Sequence, residues 1–250
     1  MDLGLNGRIG LVTGAARDVG REIALALAAE GAAVAVNYAT SAKEAAEVVA
    51  AILAKGGTAK AYQADVADFA AVQAMVAAIV KDFGGLNILI NNAGLALRRR
   101  FLDTTPDDWR RQIDTCLYGA IHCCHAAAPH LEAGKNGRIV SVIGDSSRVG
   151  ESGLAIVAAA RAGIVALMKS LARELARSGT TANTVALGLI ETAHDPAFIK
   201  ENREQLTRLY PLRRLGLPDD VAPMVALLAS PRSSWITGQV LSISGGYSMV

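Results

Sequence analysis

Short apolar runs rich in Val, Ile and Ala alternate along the chain with longer segments in which apolar residues recur at helical spacing. Each short run ends in turn residues and is followed by a predicted helix. The runs predict seven β-strands, at residues 8–15, 32–38, 59–66, 86–94, 137–144, 181–188 and 239–246. Strands joined by helical crossovers form a parallel sheet with helices on both faces. The pattern therefore predicts a single α/β domain across residues 1–250, with a doubly wound sheet of the Rossmann type.

Helix-capping residues mark the predicted beginnings of two helices. Ser41 precedes the helix after the second strand, and Thr105 with Pro106 opens a long helix that runs to Leu131. A second long helix, rich in Ala, is predicted from residue 154 to residue 179. Both long helices carry apolar faces suited to close helix packing.

The segment 189–216 interrupts the alternation of strands and helices. It is polar, contains Pro196 and Pro211, and follows the carboxyl end of the sixth predicted strand. Ligands bind at that edge of a doubly wound sheet, so one interpretation is a lid over a substrate. The other is a solvated helical excursion, and the sequence leaves both open.

Composition and charge narrow the classes of partner. The chain has 25 basic and 23 acidic residues and a formal net charge of +2, which argues against nucleic acid or an anionic membrane surface as a partner. No apolar run is long enough for a bilayer span, and the first residues lack the pattern of a signal peptide. We therefore expect a cytoplasmic protein that does not associate with membranes.

The three cysteines and three of the four histidines fall in one predicted helix. Cys123 and Cys124 are adjacent and point to different sides of that helix, so together with Cys116 they predict free thiols rather than disulfides. His122 and His125 stand three residues apart without a convergent carboxylate, and we interpret them as packing residues. No metal site is predicted.

Three motifs follow strand ends in a fixed order. They are "TGAARDVG" after the first strand, "NNAG" after the fourth and "ITGQVLSISGG" near the end of the chain. Together they resemble the short-chain dehydrogenase/reductase (SDR) family over residues 8–249. The segment "VAVNYATSAKEAAEVV" resembles the ketoacyl-carrier-protein reductases of that family. The segment "GDSSRVGESG" and the carboxyl-terminal tail resemble hydroxyacyl-CoA dehydrogenases of aromatic and alicyclic acid degradation.

The resemblance implies a nicotinamide dinucleotide site on the first Gly-rich turn and the strand ends beside it. Arg17 and Asn37 stand where a 2′-phosphate would be bound, which favours NADP(H) over NAD(H). The family's Pro-Gly after the sixth strand is Leu187-Gly188 here. The implied cofactor-binding residues are Gly14, Arg17, Asp18, Val19, Asn37, Asp65, Val66, Asn92, Ala93, Gly94 and Thr192.

Asp18 departs from the family pattern, which has glycine at this position. A carboxylate there adds a β-carbon where close approach is needed, and it adds a negative charge facing phosphate groups. Two unit charges about 4 to 5 Å apart repel by a few kcal/mol at an intermediate dielectric constant. Two possibilities stay open: NADP(H) or NAD(H) still binds, or the turn is kept for strand–helix packing without a cofactor.

The catalytic residues that the family uses for ketone reduction are replaced. By resemblance, the proton-donating tyrosine falls at Val157, the lysine at Arg161, the carbonyl-binding serine at Gly144 and the supporting asparagine at Cys116. Valine has neither a donor nor an acceptor. Loss of a positioned acid typically lowers a rate about 10²- to 10⁴-fold. The sequence therefore predicts no catalytic residues at these positions and no ordinary reductase activity.

These observations favour a non-catalytic subunit that pairs with an active SDR dehydrogenase. By resemblance, the segments 107–131 and 154–175 form the helical contact of family dimers, and 242–250 forms a second contact. A hetero- or homo-oligomer, such as a tetramer, is therefore expected, with a small acyl-CoA-type molecule as a potential ligand. One alternative is an enzyme, redox or non-redox, with a site rebuilt on Asp145, Ser146 and Arg161. Another is a cofactor-binding sensor.

Overall fold

The computed structural model describes residues 2–192 and 196–250. Within this part of the chain, seven parallel strands form one sheet in the order β3-β2-β1-β4-β5-β6-β7. The chain crosses from one half of the sheet to the other after β3, which confirms the predicted doubly wound topology. The strands are β1 (Ile9–Val12), β2 (Ala33–Tyr38), β3 (Thr58–Gln63), β4 (Ile88–Asn91), β5 (Arg138–Gly144), β6 (Thr181–Leu187) and β7 (Val240–Ile243).

Helices cover both faces of this sheet. Residues on α1, α2 and α9 share a core with one face, and residues on α3, α5 and α7 share a core with the other. The helices are α1 (Asp18–Ala29), α2 (Ala42–Ala54), α3 (Phe69–Phe83), α4 (Pro106–Ile113), α5 (Gly119–Ala133), α6 (Ser146–Val149), α7 (Ala155–Glu174), α8 (Pro196–Arg208) and α9 (Pro218–Leu228).

Successive residues of the central strands point into different cores. On β4, Ile88 and Ile90 pack with the α1 side and Leu89 packs with the α3 side, and all three are fully buried. Each such side chain contributes about 1.5–3 kcal/mol when it leaves water. The near-continuous apolar strands of the sequence are therefore explained by a sheet that is covered on both sides.

Thr105 caps α4 as predicted, whereas Ser41 does not cap α2 with its side chain. The Thr105 hydroxyl accepts the Asp108 backbone N–H at 3.2 Å, and the Asp108 carboxylate accepts the Thr105 N–H at 3.0 Å. Ser41 occupies the N-cap position of α2, but its side chain forms no capping hydrogen bond. Its backbone is not in the extended conformation usual for a capping residue, with φ −87° and ψ 62°.

The helix predicted from Thr105 to Leu131 is interrupted. A π-helical turn, Asp114–Tyr118, lies between α4 and α5. Such a turn accommodates an extra residue in the helix and is frequent at functional sites. Here it brings Cys116 into the interior, where Cys116 is 2% exposed. The start of α5 lies close to Val66, because a β-carbon at Gly119 would be 2.7 Å from Cγ2 of Val66.

The insert 189–216 is closed at its base, and its described residues contain one helix. Ile190 and Gly216 form a parallel bridge, and α8 lies between them. The Arg203 guanidinium donates to both carboxylate oxygens of Glu191, at 2.8 and 2.6 Å. Residues 193–195 of the insert lie outside the described residues. The helical excursion is thus present, and a lid function stays a prediction.

Among the described residues, α7 alone has the length and apolar composition that would allow it to cross a membrane. A core helix of a globular protein passes the same test. The side of α7 that carries Val157, Ile164 and Met168 is buried, and the helix packs against β5 and β6.

Candidate functional site

A cleft of about 470 Å³ opens at the carboxyl ends of the strands. It lies where β1 and β4 are neighbours and the chain passes from one half of the sheet to the other. This is the edge at which doubly wound sheets bind ligands. All the residues that the resemblance implied for a cofactor border this cleft: Gly14, Arg17, Asp18, Val19, Asn37, Asp65, Val66, Asn92, Ala93, Gly94 and Thr192. The structure therefore brings the predicted set together, and nucleotide binding itself stays a prediction.

The Gly-rich turn after β1 is packed too tightly for side chains at two of its positions. Gly14 has φ +60°, and a β-carbon there would lie 3.0 Å from Cα of Ala93. A β-carbon at Gly20 would lie 2.3 Å from the Gly14 carbonyl oxygen and 2.5 Å from Nδ2 of Asn92. These glycines let the turn approach the loop that follows β4. Because the turn carries no side chain at these two positions, a phosphate group would have room above the start of α1.

Thr13 and Asn92 hold the turn to the β4 loop. The Thr13 hydroxyl accepts the backbone N–H groups of Asn92 and Ala93, both at 3.0 Å, and the Asn92 amide donates to the carbonyls of Thr13 and Gly14. Thr13 is the first residue of the "TGAARDVG" motif, which by itself indicates no partner for its hydroxyl. Its position beside the Gly-rich turn was the available signal, but its partner lies 79 residues further along the chain.

Asp18 occupies a strained position at the first turn of α1. Its φ of +51° lies in the left-handed region that favours glycine, so this residue adopts the conformation that the family's glycine would adopt without cost. The side chain is 17% exposed and lies 3.9 Å from Nε of Arg17. The cleft therefore carries a carboxylate at the end where a dinucleotide would place its phosphates.

The side chain of Asn37 borders the cleft but is hydrogen-bonded to the backbone of three strand ends. It is 1% exposed, and its side-chain oxygen accepts the Gly14 backbone N–H at 3.1 Å. Its amide nitrogen donates to the carbonyls of Tyr62 and Ala64, at 3.3 and 3.0 Å. Because its donors and acceptor are used by the backbone, Asn37 does not present a free group to a 2′-phosphate. Of the two residues that favoured NADP(H), only Arg17 is exposed at the rim, with 56% of its side chain accessible.

Asp65 and Val66 form the wall of the cleft after β3. The Asp65 carboxylate accepts the Ala67 backbone N–H at 2.9 Å, which fixes a local turn. The Val66 carbonyl lies 2.9 Å from Nδ1 of His122 on α5. His122 thus has a packing partner, and it also lies against the ring of Phe69.

Cys116 and Val157 lie side by side in a small apolar cluster. Val157 is fully buried and packs with Cys116 and Ala160, with Leu117 and Leu154 beside them. The Cys116 thiol lies 3.4 Å from both the backbone nitrogen and the carbonyl oxygen of Leu95, as acceptor and donor. This part of the site offers the cleft no hydroxyl, amide or charged group.

Arg161 is the ionisable residue of α7 that reaches the cleft. Its guanidinium lies between the loops that follow β4 and β5. A β-carbon at Gly94 would be 3.0 Å from its Nη2, and one at Gly144 would be 3.1 Å from its Nη1. Thr115 borders the cleft at the same end.

Asp145 and Ser146 follow Gly144 but lie differently. Asp145 is 1% exposed, does not border the cleft, and accepts a hydrogen bond of 2.7 Å from the Ser242 hydroxyl. Ser242 in turn accepts from Arg148 at 2.6 Å, and Arg148 also donates to the Val250 carbonyl. The structure therefore does not place Asp145 with Arg161, as the rebuilt-site alternative requires, and Ser146 lies near Gly144 without bordering the cleft.

The cysteines of α5 are held as thiols. Burial raises the pKa of Cys124 to about 12, and burial followed by the neighbouring Cys124 raises the pKa of Cys123. All three cysteines are free. Within residues 2–192 and 196–250, no group of three or more His, Cys, Asp or Glu side chains is placed to hold a metal ion.

Known proteins are similar to this chain over almost its whole length. A family profile described as enoyl-(acyl carrier protein) reductase matches residues 14–248. A 3-oxoacyl-[acyl-carrier-protein] reductase of Staphylococcus aureus is 43% identical over 239 residues, which cover 96% of this chain and 97% of that protein. The reductase of the same name from Synechocystis is 38% identical over 246 residues, 98% of each chain.

Solved structures agree with the fold. A dehydrogenase/reductase from Sinorhizobium meliloti superposes with a TM-score of 0.95 at 34% identity, covering 99% of this chain and 98% of that one. A blue fluorescent protein from a metagenomic library, solved in complex with NADPH, gives a TM-score of 0.93 at 34% identity, covering 98% and 100%. The chain belongs to the short-chain dehydrogenase/reductase family, and it is related to the 3-oxoacyl-[acyl-carrier-protein] reductases of that family.

Proposed function

We propose that this chain is a non-catalytic SDR subunit that pairs with an active SDR enzyme acting on 3-oxoacyl or 3-hydroxyacyl thioesters. The observation that carries the proposal is the apolar cluster of Cys116, Val157 and Ala160, at the position where SDR enzymes hold a proton donor. Reduction of a ketone needs a proton at the carbonyl oxygen as hydride arrives. No side chain of this cluster donates one to the cleft.

The expected loss of reductase rate follows from the catalytic groups that are replaced. Loss of a positioned acid lowers a rate about 10²- to 10⁴-fold, and loss of one carbonyl-binding donor lowers it about 10²- to 10³-fold. Such losses do not add when the groups act together. We therefore infer a rate near background for the chain alone, with Arg161 keeping a positive charge but not the compact ammonium of a lysine.

Nucleotide binding is a separate question from catalysis. The residues that would hold NADP(H) or NAD(H) are Gly14, Gly20 and Asn92 around the turn, with Arg17 and Thr192 at the two ends of the cleft. The close packing at Gly14 and Gly20 fits a dinucleotide, and the Asp18 carboxylate opposes it. When bound, the nicotinamide supplies a hydride.

Exposed apolar side chains near α4 and α5 support a partner subunit. Phe101 and Leu102 are 58% and 83% exposed, and Trp109 and Tyr118 lie nearby in sequence at 37% and 49%. Exposed apolar groups gathered in one region are typical of interaction surfaces. The resemblance of "SSRVGESG" and the tail to heteromeric 2-(hydroxybenzyl)succinyl-CoA dehydrogenases, one subunit of which is inactive, favours an aromatic acyl-CoA as the substrate of the assembly.

The alternative is an enzyme with a rebuilt site, redox or non-redox. Arg161 and Ser146 near Gly144 favour it, but Asp145 is turned toward Ser242 and does not supply an acid to the cleft. Turnover that needs no nicotinamide and is lost in Arg161→Met would support this alternative.

The deciding experiment compares the chain alone with the chain and its co-purified partner. Oxidation of NADPH and NADH is followed with acetoacetyl-CoA as the substrate, and the Staphylococcus aureus reductase serves as the active reference. We expect background rates for the chain alone and an intact Tyr-x-x-x-Lys sequence in a co-purifying SDR subunit. An enzyme-like rate from the chain alone contradicts the proposal.

A further inference from the structure

Residues 244–250, which we call the strap, follow β7 and pack against the insert. The insert has a small apolar cluster of its own, made of Ile199, Tyr210 and Leu215, and Tyr247 of the strap packs on it. The rings of Tyr247 and Tyr210 are 5.4 Å apart. The Leu212 backbone N–H also donates to the Gly245 carbonyl at 3.2 Å. One side of the strap is therefore anchored on the insert.

The other side of the strap is tied to α6, the short helix after β5. The Arg148 guanidinium donates to the Val250 carbonyl of the strap and to the Ser242 hydroxyl at 2.6 Å. Ser242, in the strand from which the strap leaves, donates in turn to the Asp145 carboxylate at 2.7 Å. Because a guanidinium and a carboxylate take part, these bonds are stronger than hydrogen bonds between neutral groups.

The two elements that the strap joins are walls of the cleft. Gly144, directly before Asp145, borders the cleft on the β5 side, and Gly188 and Ile190 border it at the base of the insert. The Asp145 backbone N–H donates to the Leu187 carbonyl at 2.8 Å, so the two walls meet at their base. Beyond that point, the strap contacts both of them.

The Arg148 side of the strap buries little apolar surface. Met249 and Val250 are 81% and 74% exposed, and Val149 on α6 is 46% exposed. The hydrogen bonds of Arg148 are therefore the main contacts that hold the strap on this side. A segment held by a few polar contacts opens at a much lower free energy than the core of the sheet.

We propose that the strap is a conformational device that couples the insert 189–216 to α6, and that Arg148 holds it closed. While Arg148 holds Val250, the strap keeps both walls of the cleft in place. When this contact opens, the strap and the insert loosen together, and the cleft opens at the end that they border. The proposal goes beyond the proposed function and does not depend on it, because it concerns access to the cleft and not the reaction.

Hydrogen–deuterium exchange of the purified full chain, followed by mass spectrometry, tests this coupling. Arg148→Gln removes the hydrogen bonds on the α6 side and leaves the anchor on the insert. We expect exchange in the strap and in residues 209–216 to become about 10- to 100-fold faster, since hydrogen bonds from a charged group are lost. Tyr247→Leu weakens the opposite anchor, and exchange in α6 should become about 3- to 10-fold faster.

Arg173→Gln is the matched control, because it removes an exposed arginine of α7. It should leave exchange unchanged in all three segments, and wild-type exchange rates in α3 show that each variant is folded. Faster exchange that is confined to α6 and the strap in Arg148→Gln, with residues 209–216 unchanged, overturns the proposal. Unchanged exchange of α6 in Tyr247→Leu also overturns it, so the two variants test the coupling from opposite sides.

Discussion

The side-chain oxygen of Asn37, at the end of β2, accepts the backbone N–H of Gly14 at 3.1 Å and so ties the Gly-rich turn to the neighbouring strand. The amide nitrogen of the same residue donates to two carbonyls at the end of β3. One buried side chain thus joins three strand ends. This side chain thereby helps to set the shape of the cleft, and a role in recognition of a nucleotide stays a prediction.

Asn37→Ala is expected to destabilise the protein by about 2–4 kcal/mol, because it leaves a buried N–H and two buried carbonyls without partners. Urea denaturation followed by circular dichroism measures this change. Arg17→Ala, at the exposed rim, provides the contrast and changes stability by less than about 0.5 kcal/mol. A ratio of NADPH to NADH affinity that changes in Asn37→Ala without a loss of stability would contradict this role.

Asp18→Gly is expected to raise affinity for NADPH about 10-fold, because it removes a carboxylate from the phosphate end of the cleft. Glycine adopts the left-handed backbone conformation without strain, which raises the free energy of unfolding. Its greater freedom in the unfolded chain lowers the free energy of unfolding, so the two effects oppose each other. Stability therefore changes by less than about 1 kcal/mol. Calorimetric titration of both proteins with NADPH measures the difference in affinity.

Asp18→Asn separates charge from backbone strain, since asparagine keeps the shape and tolerates the same conformation. If charge repulsion dominates, Asp18→Asn gains most of the affinity that Asp18→Gly gains. Unchanged affinity in both variants would show that Asp18 does not limit nucleotide binding.

Val157→Tyr alone is expected to give no reductase activity and to cost about 1–3 kcal/mol, because it forces a ring into a fully buried position. The combination with Cys116→Asn, Gly144→Ser and Arg161→Lys should exceed the single variant by at least about 10²-fold in rate. The rate is measured as NADPH oxidation with acetoacetyl-CoA. The same combination with Val157→Phe carries the ring without the hydroxyl and should stay inactive; equal rates for both combinations would contradict the assignment.

The Arg214–Asp220 pair predicts part of the acid sensitivity. Hydrogen bonds from Arg214 and then from the Leu217 N–H lower the pKa of Asp220 to about 2 from an ordinary 3.8. Because the pKa of this carboxyl is lower in the folded than in the unfolded protein, the pair stabilises the fold at pH values above the unfolded pKa. That stability is lost as the pH falls toward 2. The effect is modest, because the two side chains are 54% and 31% exposed.

Thermal unfolding between pH 6 and pH 2 tests this pair. The melting temperature of Asp220→Asn should lie about 2 °C below that of the wild type at pH 6, and the difference should vanish near pH 2. Asp219→Asn, at the exposed neighbouring position, should follow the wild type throughout. A constant difference between wild type and Asp220→Asn across the range would show that the ionised pair is not its source.

The number of strands, the doubly wound class of the sheet and the edge that carries the cleft follow from the sequence, because alternating apolar periods and turn residues are local signals. The predicted strands extend past the observed ends: the first covers residues 8–15, whereas β1 is Ile9–Val12. The extra residues belong to turns such as the one at Gly14, whose conformation depends on contacts with the β4 loop.

The features that the sequence did not reveal depend on distant partners. The spacing of apolar residues in the sequence does not distinguish the π-helical turn at Asp114–Tyr118 from an ordinary helix. The hydrogen bonds of Asn37 depend on carbonyls 25 and 27 residues away. Likewise, the sequence places Asp145 directly after Gly144 and so close to the expected catalytic position. In the structure its carboxylate does not border the cleft, because it accepts a hydrogen bond from the Ser242 hydroxyl, 97 residues further along.

Cys116, Val157 and Ala160 form a cluster of their own, apart from the two large cores on either side of the sheet. A substitution there acts first on the packing between the π-helical turn and α7, which meet at this cluster, and less directly on the two layers of the scaffold. If the chain is the non-catalytic subunit that we propose, its chemistry was lost at this point without a change in the seven-stranded architecture that it shares with its relatives.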